Sequence, residues 1–105
     1  MVQRATPAAR WAKVKATAEV QVIPIGSGVS VRHEVQRAHG LLEQAGLNAQ
    51  LHSNGTNLEG ELMDIFAAVA KIHETLHAEG TVRIATFIKV ATRTDKQPTL
   101  AGKLF

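Results

Sequence analysis

From Lys15 to Ile25 (KATAEVQVIPI) polar and apolar residues alternate. Ala16, Ala18, Val20 and Val22 share one parity, and Lys15, Thr17, Glu19 and Gln21 share the other. A period of two with β-branched residues predicts a half-buried strand. Pro24 has no N–H to give a neighbour, so regular pairing is expected to stop there. After Gly26-Ser27-Gly28 the period changes. Val31, Val35, Ala38, Leu42 and Ala45 fall three or four apart, which predicts a helix over 31–45. Ser30 is its expected N-cap and Gly46 its C-terminal stop. Gly40 inside this helix costs about 1 kcal/mol relative to alanine, so it is expected to mark a close backbone approach or a weak spot.

Two short alternating runs follow, 48–53 and 56–60, joined by Asn54-Gly55. That dipeptide is a strong signal for a two-residue hairpin turn. Such a turn sets Ser53 against Thr56, His52 against Asn57, Leu51 against Leu58 and Gln50 against Glu59. Leu51 and Leu58 then share one face, and the four polar residues share the other. Leu62 to Glu79 carries a helical stripe of Leu62, Ile65, Phe66, Val69, Ile72, His73 and Leu76, closed by Gly80. Thr81 to Thr92 alternates again, with Val82, Ile84, Ile88 and Val90 opposed to Arg83, Ala85, Phe87 and Lys89.

The order strand, helix, strand, strand, helix, strand predicts an α+β, ferredoxin-like βαββαβ domain. A four-stranded antiparallel sheet would carry both helices on one face, since crossovers are right-handed. The other face would be open. It would hold Glu19, Gln21, Gln50, His52, Asn57, Glu59 and Lys89 beside Ile23, Ile25 and Phe87. That mixed surface is expected to be covered, most cheaply by a second subunit, with a ligand pocket among its polar residues.

At 105 residues the chain is one domain. We divide it into a basic extension over 1–14 and the folded domain over 15–105. Its net charge of +3 gathers at the ends, with Arg4, Arg10, Lys13 and Lys15 at one and Lys89, Arg93, Lys96 and Lys103 at the other. Aromatic residues make up only 4%, and only Phe87 stands on the open face to stack a base, so a nucleic acid partner is not expected. No apolar run reaches the ~18 residues of a membrane span. There is no cysteine, which removes disulfides, thiolate metal sites and thiol nucleophiles. A cytoplasmic setting is expected.

His73-Glu74-Thr75-Leu76-His77 matches the zinc-binding HExxH pattern on a predicted helix. Yet His73 belongs to the core stripe and no third ligand is evident, so no metal is expected and a zinc hydrolase is only a minor alternative. The Gly26–Ser30 loop can present backbone N–H groups to an anion, but it reads better as a tight turn and a cap.

Three segments together, AEVQVIPIGSGVS, SNGTNLEGEL and TFIKVATRTDKQPTLAGKL, resemble the small thiamine-binding proteins of the YkoF-like superfamily. The resemblance runs from about Ala18 to Leu104. It implies a ferredoxin-like fold, dimers or tetramers built through the sheets, and binding of thiamine or its hydroxymethylpyrimidine moiety without catalysis. Ser53, Asn54, Thr56 and Glu59 stand where the family's hairpin motif lies. Ser27 and Ser30 stand in the loop after the first strand. Asn57 departs from the commoner form of that motif. Beside these, Glu19 or Glu59 is expected to balance a thiazolium charge, Gln21, Asn57 and Lys89 to supply polar contacts, and Phe87 or Ile23 to press on a ring. No other cofactor is implied. An oligomeric interaction module without a small ligand is the alternative.

Overall fold

The computed structural model describes residues 14–101. The basic extension therefore lies, apart from Val14, outside the described residues, as do Lys103, Leu104 and Phe105. The elements are β1 (Lys15–Ile25), α1 (Arg32–Gln44), β2 (Asn48–His52), β3 (Gly55–Glu61), α2 (Leu62–Ala78) and β4 (Arg83–Thr92). The strand order is β2-β3-β1-β4, antiparallel throughout. This is the ferredoxin-like architecture that the alternation of elements predicts.

The core lies between the sheet and the helices. Ala16, Ala18, Val20 and Leu58 contribute the sheet side, Ala38, Leu41 and Leu42 come from α1, and Ile65, Ala68, Val69, Ile72 and Leu76 from α2. Burying an aliphatic side chain of this kind contributes roughly 1.5–3 kcal/mol. The expected stripes need small corrections. Ala45 is exposed and Leu41 replaces it. Phe66 is 43% exposed, because the buried face of α2 centres on Ala68. Val82 is exposed ahead of β4, which begins one residue later.

Four expectations about local structure change. Ser30 does not cap α1. The helix starts after Val31, which has no side-chain capping bond, and the Val31 carbonyl accepts the N–H of Val35 at 3.0 Å. Gly40 marks no close approach, since a β-carbon there would meet nothing within 4 Å, which leaves the weak-spot alternative. β1 does not lose its pairing at Pro24, which stands opposite Ile84 with Ile25 opposite Arg83. The ring nitrogen of Pro24 faces away from β4, so no ladder bond is lost.

The hairpin register is the fourth. His52 stands opposite Gly55, Leu51 opposite Thr56, Gln50 opposite Asn57 and Asn48 opposite Glu59. The pairing is two residues from the expected one, with Ser53 and Asn54 forming the turn. Asn54 has no positive φ, so the expected Asn-Gly turn does not form. Gly55 is needed in the strand instead. A β-carbon there would come to 2.9 Å from the Val20 carbonyl oxygen. A shift of two keeps parity, so the polar face survives. Leu51, moved to the tip, is 47% exposed.

The chain after β4 folds back over the open face. Pro98 is buried, and the backbone N–H of Leu100 donates to Glu59 Oε2 at 2.6 Å. Thr17, on that face of β1, is buried as a result. On the way, Arg93 pairs with Asp95 and holds that exposed carboxyl down to about 2.

Candidate functional site

β1 is longer than its neighbour β3, and this mismatch makes the site. β1 pairs with β3 only from Lys15 to Val20, but with β4 from Ala16 to Ile25. Beyond Val20 one edge of β1 faces no strand among the described residues. The hairpin tip stands on one side of this gap and the start of α1 beneath it. The result is a notch of about 300 Å³. Its floor is apolar, with Val20, Val22, Val31, Val35 and Leu42. Its rim is polar, with Gln21, His52, Ser53, Asn54 and Thr56.

Thr56 is only 6% exposed, and its hydroxyl has no hydrogen-bond partner among the described residues. It stands on the polar rim of the notch, where its hydroxyl can meet a ligand. His52 orders the tip. Its Nδ1 accepts the backbone N–H of Asn54 at 3.2 Å, so the ring carries its proton on Nε2. That N–H donates to Asn57 Oδ1 at 3.1 Å, with Glu19 Oε2 at 3.4 Å.

A second hollow of about 240 Å³ lies on the open face of the sheet, where Thr17, Glu19, Asn57 and Lys89 are roofed by Leu100. Glu19 and Lys89 are direct cross-strand neighbours. Glu19 nevertheless turns to His52, and Lys89 makes no ion pair among the described residues.

The structure thus sorts the expected site residues. Gln21, Ser53, Asn54 and Thr56 meet in the notch. Glu19, Asn57 and Lys89 meet in the hollow. Glu59 lies beside the hollow with its carboxylate engaged by Asn48 Nδ2 at 3.3 Å and by Leu100. Ser27 and Ser30 are exposed in the β1–α1 loop and line neither space. Phe87 is 63% exposed and also lines neither. The sequence reading missed Val31 and Val35 as site residues because their helical spacing marks them as core. His52 was legible only as one of several polar-face residues.

The HExxH histidines have other partners. His73 Nε2 shares a 2.7 Å hydrogen bond with Thr86 Oγ1, tying α2 to β4. His77 Nδ1 donates to the Thr81 carbonyl at 2.7 Å. No cluster of three possible metal ligands occurs among the described residues.

The model of a family described as "Thiamine-binding protein" matches residues 18–105. The chain belongs to that family. It is 42% identical over 83 residues to the UPF0045 protein sll0230 of Synechocystis, covering 79% of this chain and 69% of that protein. The UPF0045 protein YqgV of Bacillus subtilis is 38% identical over 94 residues, with 85% and 90% covered. Among solved structures, the hypothetical protein MJ1052 of Methanocaldococcus jannaschii superposes with a TM-score of 0.80 at 34% identity, over 86% of this chain and 92% of that one. A Thermotoga maritima protein, proposed to act in thiamine biosynthesis or salvage, shares the fold with a TM-score of 0.74 at 19% identity, over 86% and 95%.

Proposed function

We propose that this protein binds thiamine or its hydroxymethylpyrimidine moiety without catalysing a reaction, as a carrier, buffer or sensor, and that the ring enters the notch beside the hairpin tip. One observation carries the placement. The notch combines an apolar floor with a polar rim that includes Asn54 and Thr56. At about 300 Å³ it is small for a ligand pocket and suits a one-ring compound. Family membership supports the ligand class. The flat ring would lie over Val35 at the open edge of β1, with Asn54 and Thr56 near its polar groups. Glu19, behind His52, is placed to balance a thiazolium positive charge that extends toward the open face.

Calorimetric titration with thiamine, thiamine diphosphate and hydroxymethylpyrimidine tests this. Saturable binding of thiamine or the pyrimidine near micromolar affinity, about −8 kcal/mol, is the expected result. Folded protein, free of carried-over ligand, that gives no heat with any of the three would overturn the reading. The same proposal includes a homo-oligomer. Phe87 and Ile25 remain exposed on the open face, which suits a second copy better than water.

A further inference from the structure

The floor and rim of the notch account for its shape, but its deepest polar groups belong to the backbone of β1. The β1–β3 register runs from Lys15–Glu61 to Val20–Thr56. Continued by two residues, it would set Val22 against Asn54. The chain turns at Ser53-Asn54 instead, and the Asn54 N–H goes to His52 Nδ1. The carbonyl of Val20 points toward β3, since it stands 2.9 Å from where a β-carbon of Gly55 would be. In an antiparallel strand the N–H and C=O of one residue point to the same side, and the sides alternate. Val22 therefore points both groups into the notch, and neither toward Thr86, its neighbour on β4. Pro24 points the same way and has no N–H, so Val22 holds the one N–H donor on this stretch of edge.

We infer that Val22 is the specificity-determining element of the notch: its N–H and C=O read a planar heteroaromatic ring that carries an acceptor nitrogen next to an exocyclic amino group. The ring nitrogen accepts the Val22 N–H, and the amino group donates to the Val22 carbonyl. The ligand then continues the sheet for one residue, as an added strand would. A 4-aminopyrimidine has this pattern. A 4-oxopyrimidine, with N–H beside C=O, has the reverse. It would set donor against donor and acceptor against acceptor, at groups that are desolvated when the notch is filled. The apolar floor of Val31 and Val35 keeps water from compensating. The inference rests on the proposed function and adds to it the feature that selects the amine.

The test uses the whole chain and two probes, 4-amino-5-hydroxymethyl-2-methylpyrimidine and its 4-oxo counterpart. Titration comes first, followed by amide hydrogen exchange read by NMR. In the free protein the Val22 amide should exchange far faster than those of Val20 and Ile23, which have strand partners. With the amino compound at about 100 times its Kd, exchange at Val22 should slow by about a hundredfold. The 4-oxo compound should bind about a hundredfold more weakly or worse. If the amino compound binds and Val22 exchange does not change, or if both compounds bind alike, the inference is overturned while the proposed function stands. If Val22 is already protected in the free protein, its edge is not open, and the inference also fails. Absence of binding by the amino compound appears at the titration step and removes both readings.

Discussion

A methyl group added at Gly55 would come to 2.9 Å from the Val20 carbonyl oxygen, a backbone atom held by β1. Gly60 is also crowded, since a β-carbon there would lie 2.5 Å from Leu47 Cδ2. The two cases differ in what must give way, because a leucine tip can change rotamer and a sheet carbonyl cannot. Gly40 has no neighbour within 4 Å of the same position and sits inside α1. Three alanine substitutions should therefore rank in urea unfolding. Gly55→Ala is expected to lose about 2–3 kcal/mol, Gly60→Ala about 1 kcal/mol, and Gly40→Ala to gain about 0.5–1 kcal/mol by restricting the unfolded chain. A loss at Gly40, or equal losses at the other two, would contradict this account of their surroundings. Gly40 was legible in part, since a glycine inside a helix reads as a close approach or a weak spot, and the open space around it leaves the weak spot. Gly55 read as a turn glycine. What decides its role is an atom far along the chain, and spacing carries no record of it.

Elements were more legible than their joints. β1 has the limits its alternation predicts, and both helices lie where three-and-four spacing puts them, because burial of one face dominates local choice. The hairpin register is a contest between local turn chemistry and the fit of Gly55 against β1, and the tertiary contact wins. The tail shows the same limit of local reading. The polar composition of residues 93–101 predicts no element there, but Pro98 and Leu100 bring the segment back over the sheet, and Glu59 holds it there. Glu59 lines neither the notch nor the hollow, and both contacts of its carboxylate are to Asn48 and Leu100. The Glu59→Gln variant should therefore loosen the tail, with faster exchange of the Leu100 amide and easier proteolysis after β4. Affinity of the notch for hydroxymethylpyrimidine should change by less than about threefold, within the additivity expected of separate sites. A large loss of affinity with the tail still ordered would restore Glu59 as a ligand-binding carboxylate.

Viewed as a whole molecule, the chain spends one face of its sheet on the core and divides the other. The tail covers the part around Thr17. The part toward the end of β1 keeps Phe87 63% and Ile25 39% exposed. Both residues lie on β1 or β4, on the same face as Lys89 and Glu19. Copies related by a two-fold axis would bring this patch against itself, so one apolar residue is buried twice. The basic charge near the chain ends gives no reason for this contact, and the apolar patch does. Sedimentation of the purified protein should show an oligomer, and Phe87→Asp should shift it to the monomer, because like charges would then be buried face to face. Since Phe87 does not line the notch, the monomeric variant should still bind hydroxymethylpyrimidine. A monomeric wild-type chain would remove the second copy from the account. A monomeric Phe87→Asp variant that folds but no longer binds would show something different: the notch, open at its rim, is then completed by a neighbouring copy, and binding and assembly are one event.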